Sequence, residues 1–113
     1  MRLRDIELSP AGEVTQITTI ATGVTLNAPS GQITTVSTTL AAGDEAEFVV
    51  TNNTVGATSV VLVNIASTSS AGTPIAVVSR VAAGSFTVLL ANLHASAALN
   101  NTLTLNFVVL GGK

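Results

Sequence analysis

Aliphatic and aromatic residues recur at every second position of this chain, in short runs punctuated by Thr, Ser and Asn. In residues 102–110, Leu103, Leu105, Phe107 and Val109 alternate with Thr104, Asn106 and Val108. A period of two puts alternate side chains on opposite faces of an extended strand, whereas one helical face repeats every three to four residues. Residues 85–92 follow the same rule with Phe86, Val88 and Leu90, and residues 47–52 with Phe48 and Val50. β-branched residues dominate these runs and suit a pleated surface.

Further strands are expected at 14–20, 23–27, 32–36, 58–66 and 74–81. Ala28-Pro29-Ser30-Gly31, between the second and third, reads as a hairpin turn. About eight short strands at roughly 8–12-residue spacing predict an all-β chain, an antiparallel β-sandwich of jelly-roll or Greek-key-like type. Helical propensity is confined to 40–46 and 94–99, at most a turn or two each. With 113 residues the chain suits one core. The expected organisation is an N-terminal arm over 1–13 and a β-sandwich domain over 14–113.

Composition removes several function classes. Only 9% of residues are charged, where about 25% is usual. Four Lys and Arg against six Asp and Glu give a net charge of −2, with no basic stripe for nucleic acid. Disordered chains are rich in charge and poor in aliphatics, the opposite of this one. Cys is absent, so disulfides, zinc knuckles and thiol chemistry are ruled out. Trp and Tyr are absent too, which removes the usual stacking platforms for sugars and bases. The uncharged stretches 14–43, 48–79 and 81–112 are long enough to cross a membrane as helices. Thr, Asn, Gly and Pro interrupt each of them, and the period is two. A transmembrane barrel wants aromatic girdles and an export signal; neither is expected, and the mixed-charge N-terminus does not read as a secretory leader. No nucleic acid, membrane or small-molecule substrate is expected as a partner.

Candidates for chemistry are few, and the chain is expected not to be an enzyme. His94 is the single histidine; it excludes a His-based metal cluster and reads as a hydrogen-bonded loop residue. A Ser–His–acid triad would need it as base, yet no nucleophile motif accompanies it. Asp44, Glu45 and Glu47 form an acidic cluster that could offer oxygens to a hard cation. Its spacing fits no EF-hand, and a solvated loop or a charged gatekeeper ahead of Phe48-Val49-Val50 is the preferred reading. Phosphate-binding glycine loops do not occur. Asn52-Asn53-Thr54 and Asn100-Asn101-Thr102 match the glycosylation sequon and read as chance matches. No cofactor and no metal are expected.

Two features point to contacts with other chains. Residues 1–13 carry five of the ten charged residues. They read either as a solvated terminus or as an arm that docks on a neighbour through Leu3, Arg4, Ile6 and Leu8. Some strands are also apolar on both faces. Val61, Val63 and Ile65 oppose Val60 and Leu62, and Val108 and Leu110 oppose Phe107 and Val109. Either loops cover the second face or a subunit does; in the latter case Val61, Val63, Ile65, Val108 and Leu110 are the expected interface. A nearly uncharged surface favours a subunit, because bare strand edges otherwise invite aggregation.

The segments Val14-Thr15-Gln16-Ile17-Thr18, Thr22-Gly23-Val24-Thr25-Leu26-Asn27 and Ser30-Gly31-Gln32-Ile33-Thr34 resemble a small β-sandwich module of tailed-bacteriophage virion proteins. So do Leu40-Ala41-Ala42-Gly43 before Phe48-Val49-Val50-Thr51-Asn52, Ala82-Ala83-Gly84-Ser85-Phe86, and Leu105-Asn106-Phe107-Val108-Val109. The resemblance runs from about residue 13 to residue 110. It implies a structural or adhesive β-sandwich, often trimeric, with no catalytic residues. Such modules occur in head decoration (cement) proteins and in fibre proteins. A short chain with its own Met1 fits decoration better, with the major capsid protein and a homotrimer as partners on the outer surface of the capsid. A tail- or head-fibre adhesin module binding the host surface is the alternative. The charged N-terminal segment has no counterpart in the module.

Overall fold

The computed structural model describes residues 12–37, 39–68 and 71–111. These form eight strands: β1 (Glu13–Thr15), β2 (Val24–Thr25), β3 (Ser30–Thr34), β4 (Glu45–Thr51), β5 (Val60–Thr68), β6 (Pro74–Ala82), β7 (Ser85–Asn92) and β8 (Leu103–Leu110). They make two four-stranded sheets, sheet A in the order β1-β3-β8-β5 and sheet B in the order β2-β4-β7-β6. The chain is an all-β sandwich, as the period-two pattern requires. No helix occurs among the described residues. Residues 42–43 form a turn and β4 begins at Glu45, while Leu40 and Leu99 join in an isolated antiparallel bridge.

Strand order follows from one long hairpin folded across both sheets. β6 pairs β7, and β5 pairs β8, so the β5–β6 segment runs antiparallel to β7–β8. β3 and β4 then pair the other sides of β8 and β7, also antiparallel. This is jelly-roll-like wrapping. β1 and β2 add short parallel pairings to β3 and β4. The hairpin expected around residues 28–31 does not form. β2 lies in sheet B and β3 in sheet A, so the Pro-containing segment crosses between sheets instead of reversing within one. The expected strand over 14–20 stops at Thr15, because Thr18 takes a left-handed φ of 71° that no strand tolerates.

Inward residues of both sheets build one core. Ile33, Leu105, Phe107 and Val61 come from sheet A; Phe48, Val50, Phe86, Val88 and Leu90 come from sheet B. All three aromatic residues of the chain lie there. The rings of Phe86 and Phe107 meet across the sheets with centroids 5.3 Å apart and tilted by 54°, a favoured aromatic arrangement. Gly31 opposes Phe107 on β8. A Cβ at residue 31 would come within 2.7 Å of Leu26 Cδ2 and 3.1 Å of Phe107 Cε1. The missing side chain is what lets the ring seat.

With few charges available, neutral amides close the two ends of the sandwich. Asn92 is 0% exposed. Its Nδ2 donates to Leu40 O at 3.0 Å and Ala97 O at 2.9 Å, and its Oδ1 accepts from Thr73 N at 3.0 Å and His94 N at 3.1 Å. The amide thereby fills its four positions and ties three loops together. At the other end Asn52 donates from Nδ2 to Ala28 O at 2.7 Å and accepts from Thr54 N at 2.9 Å. Gln16 does the same for residues 16–22, donating to Ile20 O and Thr22 O and accepting from Val36 N. Among the described residues no buried side-chain polar atom lacks a partner. The sequon asparagine Asn52 is fully enclosed, so in the folded chain it is inaccessible to a glycosyl donor.

Removing the Asn92 amide strands two carbonyls and two N–H groups, each costing about 1–3 kcal/mol if it stays dry. Asn92→Ala is expected to lower unfolding free energy by about 3–5 kcal/mol after partial rehydration. Asn100→Ala, at an exposed position, is expected to change it by about 1 kcal/mol or less. Urea titrations of both variants followed by circular dichroism check this; equal midpoints would refute the assignment.

Candidate functional site

Sheets A and B each turn one face to solvent, and strand register fixes what each face carries. On sheet A the outward rows run across the strands. Val60 opposes Leu110, and Leu62 opposes Val108. The next row is polar: Asn64, Asn106, Gln32 and Glu13 lie in register on β5, β8, β3 and β1. Within it Gln32 Nε2 donates to Asn106 Oδ1 at 3.0 Å. The face therefore has an aliphatic end and an amide-rich middle. Val60 and Leu62 are 56% and 55% exposed, high values for large aliphatics in strands.

On sheet B, Glu45, Ala91 and Ile75 form one outward row, and Glu47, Leu89 and Val77 the next. Val49, Thr87 and Arg80 follow. Acidic residues thus occupy the β4 margin, aliphatics the middle and β6, and Arg80 the far margin. Arg80 owes its direction to a bulge. Ala76 and Val78 point inward, so unbroken alternation would turn residue 80 inward as well. The register shifts between Val78 and Arg80, which leaves Arg80 outside and returns Val81 to the core. A second shift lies between Ile65 and Ser67 of β5. Both long outermost strands therefore carry a bulge, a device that discourages indiscriminate edge pairing.

This geometry corrects the expected interface. Val61 is buried, and Val63 and Ile65 pack against the core from the inner side of β5. They are core contacts. The outer face of β5 is carried by Val60 and Leu62, the alternates of the expected set, while Val108 and Leu110 do lie on the outer face of β8. The aliphatic run on β5 gives no sign of which phase faces in; only pairing to β8 decides it. The expected docking-arm residues Leu3, Arg4, Ile6 and Leu8 lie outside the described residues. Glu13, placed with the arm in the sequence reading, is the first residue of β1.

Of the residues singled out for chemistry, His94 serves local structure. His94 Nδ1 accepts from the backbone N–H groups of Ser96 at 3.0 Å and Ala97 at 2.8 Å, so that nitrogen caps its own loop. Glu45 and Glu47 are exposed on β4, with Asp44 in the turn before it. Among the described residues no group of three His, Asp or Glu side chains is placed to hold a metal ion. A depression of about 370 Å³ lies along β5 and β8, lined by Leu62, Val63, Asn64, Asn106, Phe107 and Val108. No titratable side chain lines it. It is open to solvent, unlike the enclosing clefts that bury most of a small ligand. Its mixture of aliphatic and amide side chains suits an extended partner surface.

The two faces of β5 separate by mutation. Val63→Asp sets a charge against the core and is expected to cost at least about 2 kcal/mol of folding stability. Leu62→Asp, one residue away and pointing outward, is expected to cost about 1 kcal/mol or less. Thermal unfolding of both variants checks the assignment; a larger loss at Leu62 would reverse the face. Comparison of the chain with protein-family models, with curated proteins and with solved structures finds no match.

Proposed function

We propose that this chain is a structural virion protein that decorates the outer surface of a tailed-phage head and stabilises it. The observation that carries this reading is the uncharged aliphatic end of the sheet A face, formed by Val60, Leu62, Val108 and Leu110. An exposed cluster of this kind in an almost charge-free body suits contact with another protein. The sequence resemblance to phage β modules supplies the class of partner, the major capsid protein. In this reading a homotrimer sits over a junction between capsid subunits. It adds buried area across that junction, where a stable interface needs about 1,600 Å² in total. Each copy contributes modestly, and the number of copies resists outward pressure from packaged DNA.

Heads assembled with and without the chain test the role directly. Heads carrying it are expected to survive heating and osmotic shock that rupture bare heads; equal survival would overturn the stabilising role. The double variant Leu62→Asp/Val108→Asp is expected to bind bare heads at least about tenfold more weakly, a loss of about 1.4 kcal/mol. Unchanged binding would move the contact off this face. Immunogold labelling over the head supports decoration, whereas label confined to the tail would favour a fibre adhesin.

A further inference from the structure

We propose that copies of this chain associate head to tail through sheet B, the β6 margin of one copy meeting the β4 margin of the next. The inference deepens the reading above, on whose homotrimer it rests, by naming the surface that joins the copies. Its first support is open backbone. β6 is the last strand of sheet B, and on the other side β2 pairs only Val50 and Thr51 of β4. Among the described residues the Glu45–Phe48 part of β4 thus has no strand partner on that side. An edge strand presents N–H and C=O groups on its open side to a neighbouring strand.

Charge supplies the direction. Arg80 is the only Lys or Arg among the described residues, and it stands at the β6 margin. Glu45 and Glu47 stand at the β4 margin. A two-fold contact joining β6 to β6 would gather two Arg80 side chains in one seam. Joining β4 to β4 would gather four carboxylates. Like charges across a strand pair are destabilising. Joining β6 to β4 instead sets Arg80 beside Glu47 and lines the seam with Ile75, Val77 and Val49, all exposed in the single chain. A contact between two different margins is heterologous, and it closes into a ring when the rotation between copies permits.

Sedimentation equilibrium of the full chain tests this with a charge swap. Wild type is expected to sediment as a closed species of three or more chains. Arg80→Glu and Glu47→Arg are each expected to weaken association at least tenfold, and the double variant to restore it. Both positions are exposed, and circular dichroism confirms that each variant folds. A monomeric or dimeric wild type, singly substituted variants that keep the wild-type mass, or a folded double variant that stays dissociated would overturn the proposal. A monomeric wild type that still protects heads would sink the ring and leave decoration standing; a ring that never binds heads would do the reverse.

Discussion

The closed hydrogen-bond set of Asn92 is the constraint on which one end of the sandwich depends. A charged residue there would have to be paired and desolvated, and the body of the chain has almost no charges with which to pair it. A neutral amide avoids that cost. It offers two donors and an acceptor oxygen in one plane, enough to join 40–44, 72–74 and 93–97 at a single dry point. Asn52 and Gln16 repeat the solution elsewhere. The abundance of Asn and Thr is therefore partly a substitute for ion pairs.

Removing charges from the body has a second effect. Solvent-facing strands lose their ordinary protection, so register must supply it. Bulges in β5 and β6 break the two long outermost strands. The charges that remain on sheet B are sorted to opposite margins, so that like edges repel and unlike edges attract. Sheet A is sorted by row instead, aliphatic at one end and amide-bearing in the middle.

Strands β4, β7 and β8 were legible in the sequence to within two residues, because one of their phases is clearly apolar and the other is broken by Glu, Thr, Ser or Asn. β5 was legible as a strand but not as an oriented one. Aliphatics occupy both of its phases, and the sign is set by pairing with β8, which is distant in sequence. The parallel pairings of β1 and β2 are too short to leave a pattern. The turn-like segment at residues 28–31 misleads for a related reason: Pro and Gly mark a change of direction, whether the chain reverses within a sheet or crosses to the other. The burial of Asn52 and Asn92 is not legible in the sequence, which shows polarity without showing what closes over it. The aliphatic outer faces were foreseeable in kind, while the placement of Arg80 depends on a bulge that no local pattern announces.

The β6–β7 turn, where Gly84 holds a φ of 86°, also bears on how the chain finds its fold. It is the one pairing closed by a tight turn; β3 must reach β8 across most of the sequence, with Ser30 opposite Val108. Closure entropy grows by about 0.6 kcal/mol per doubling of loop length, so the long closure costs about 3 kcal/mol more. Closure entropy therefore favours forming this hairpin first and pairing β3 and β4 last. Until that last step the open sides of β7 and β8 lie bare in a chain with little charge to keep copies apart, which makes the speed of wrapping as consequential for yield as the stability of the product.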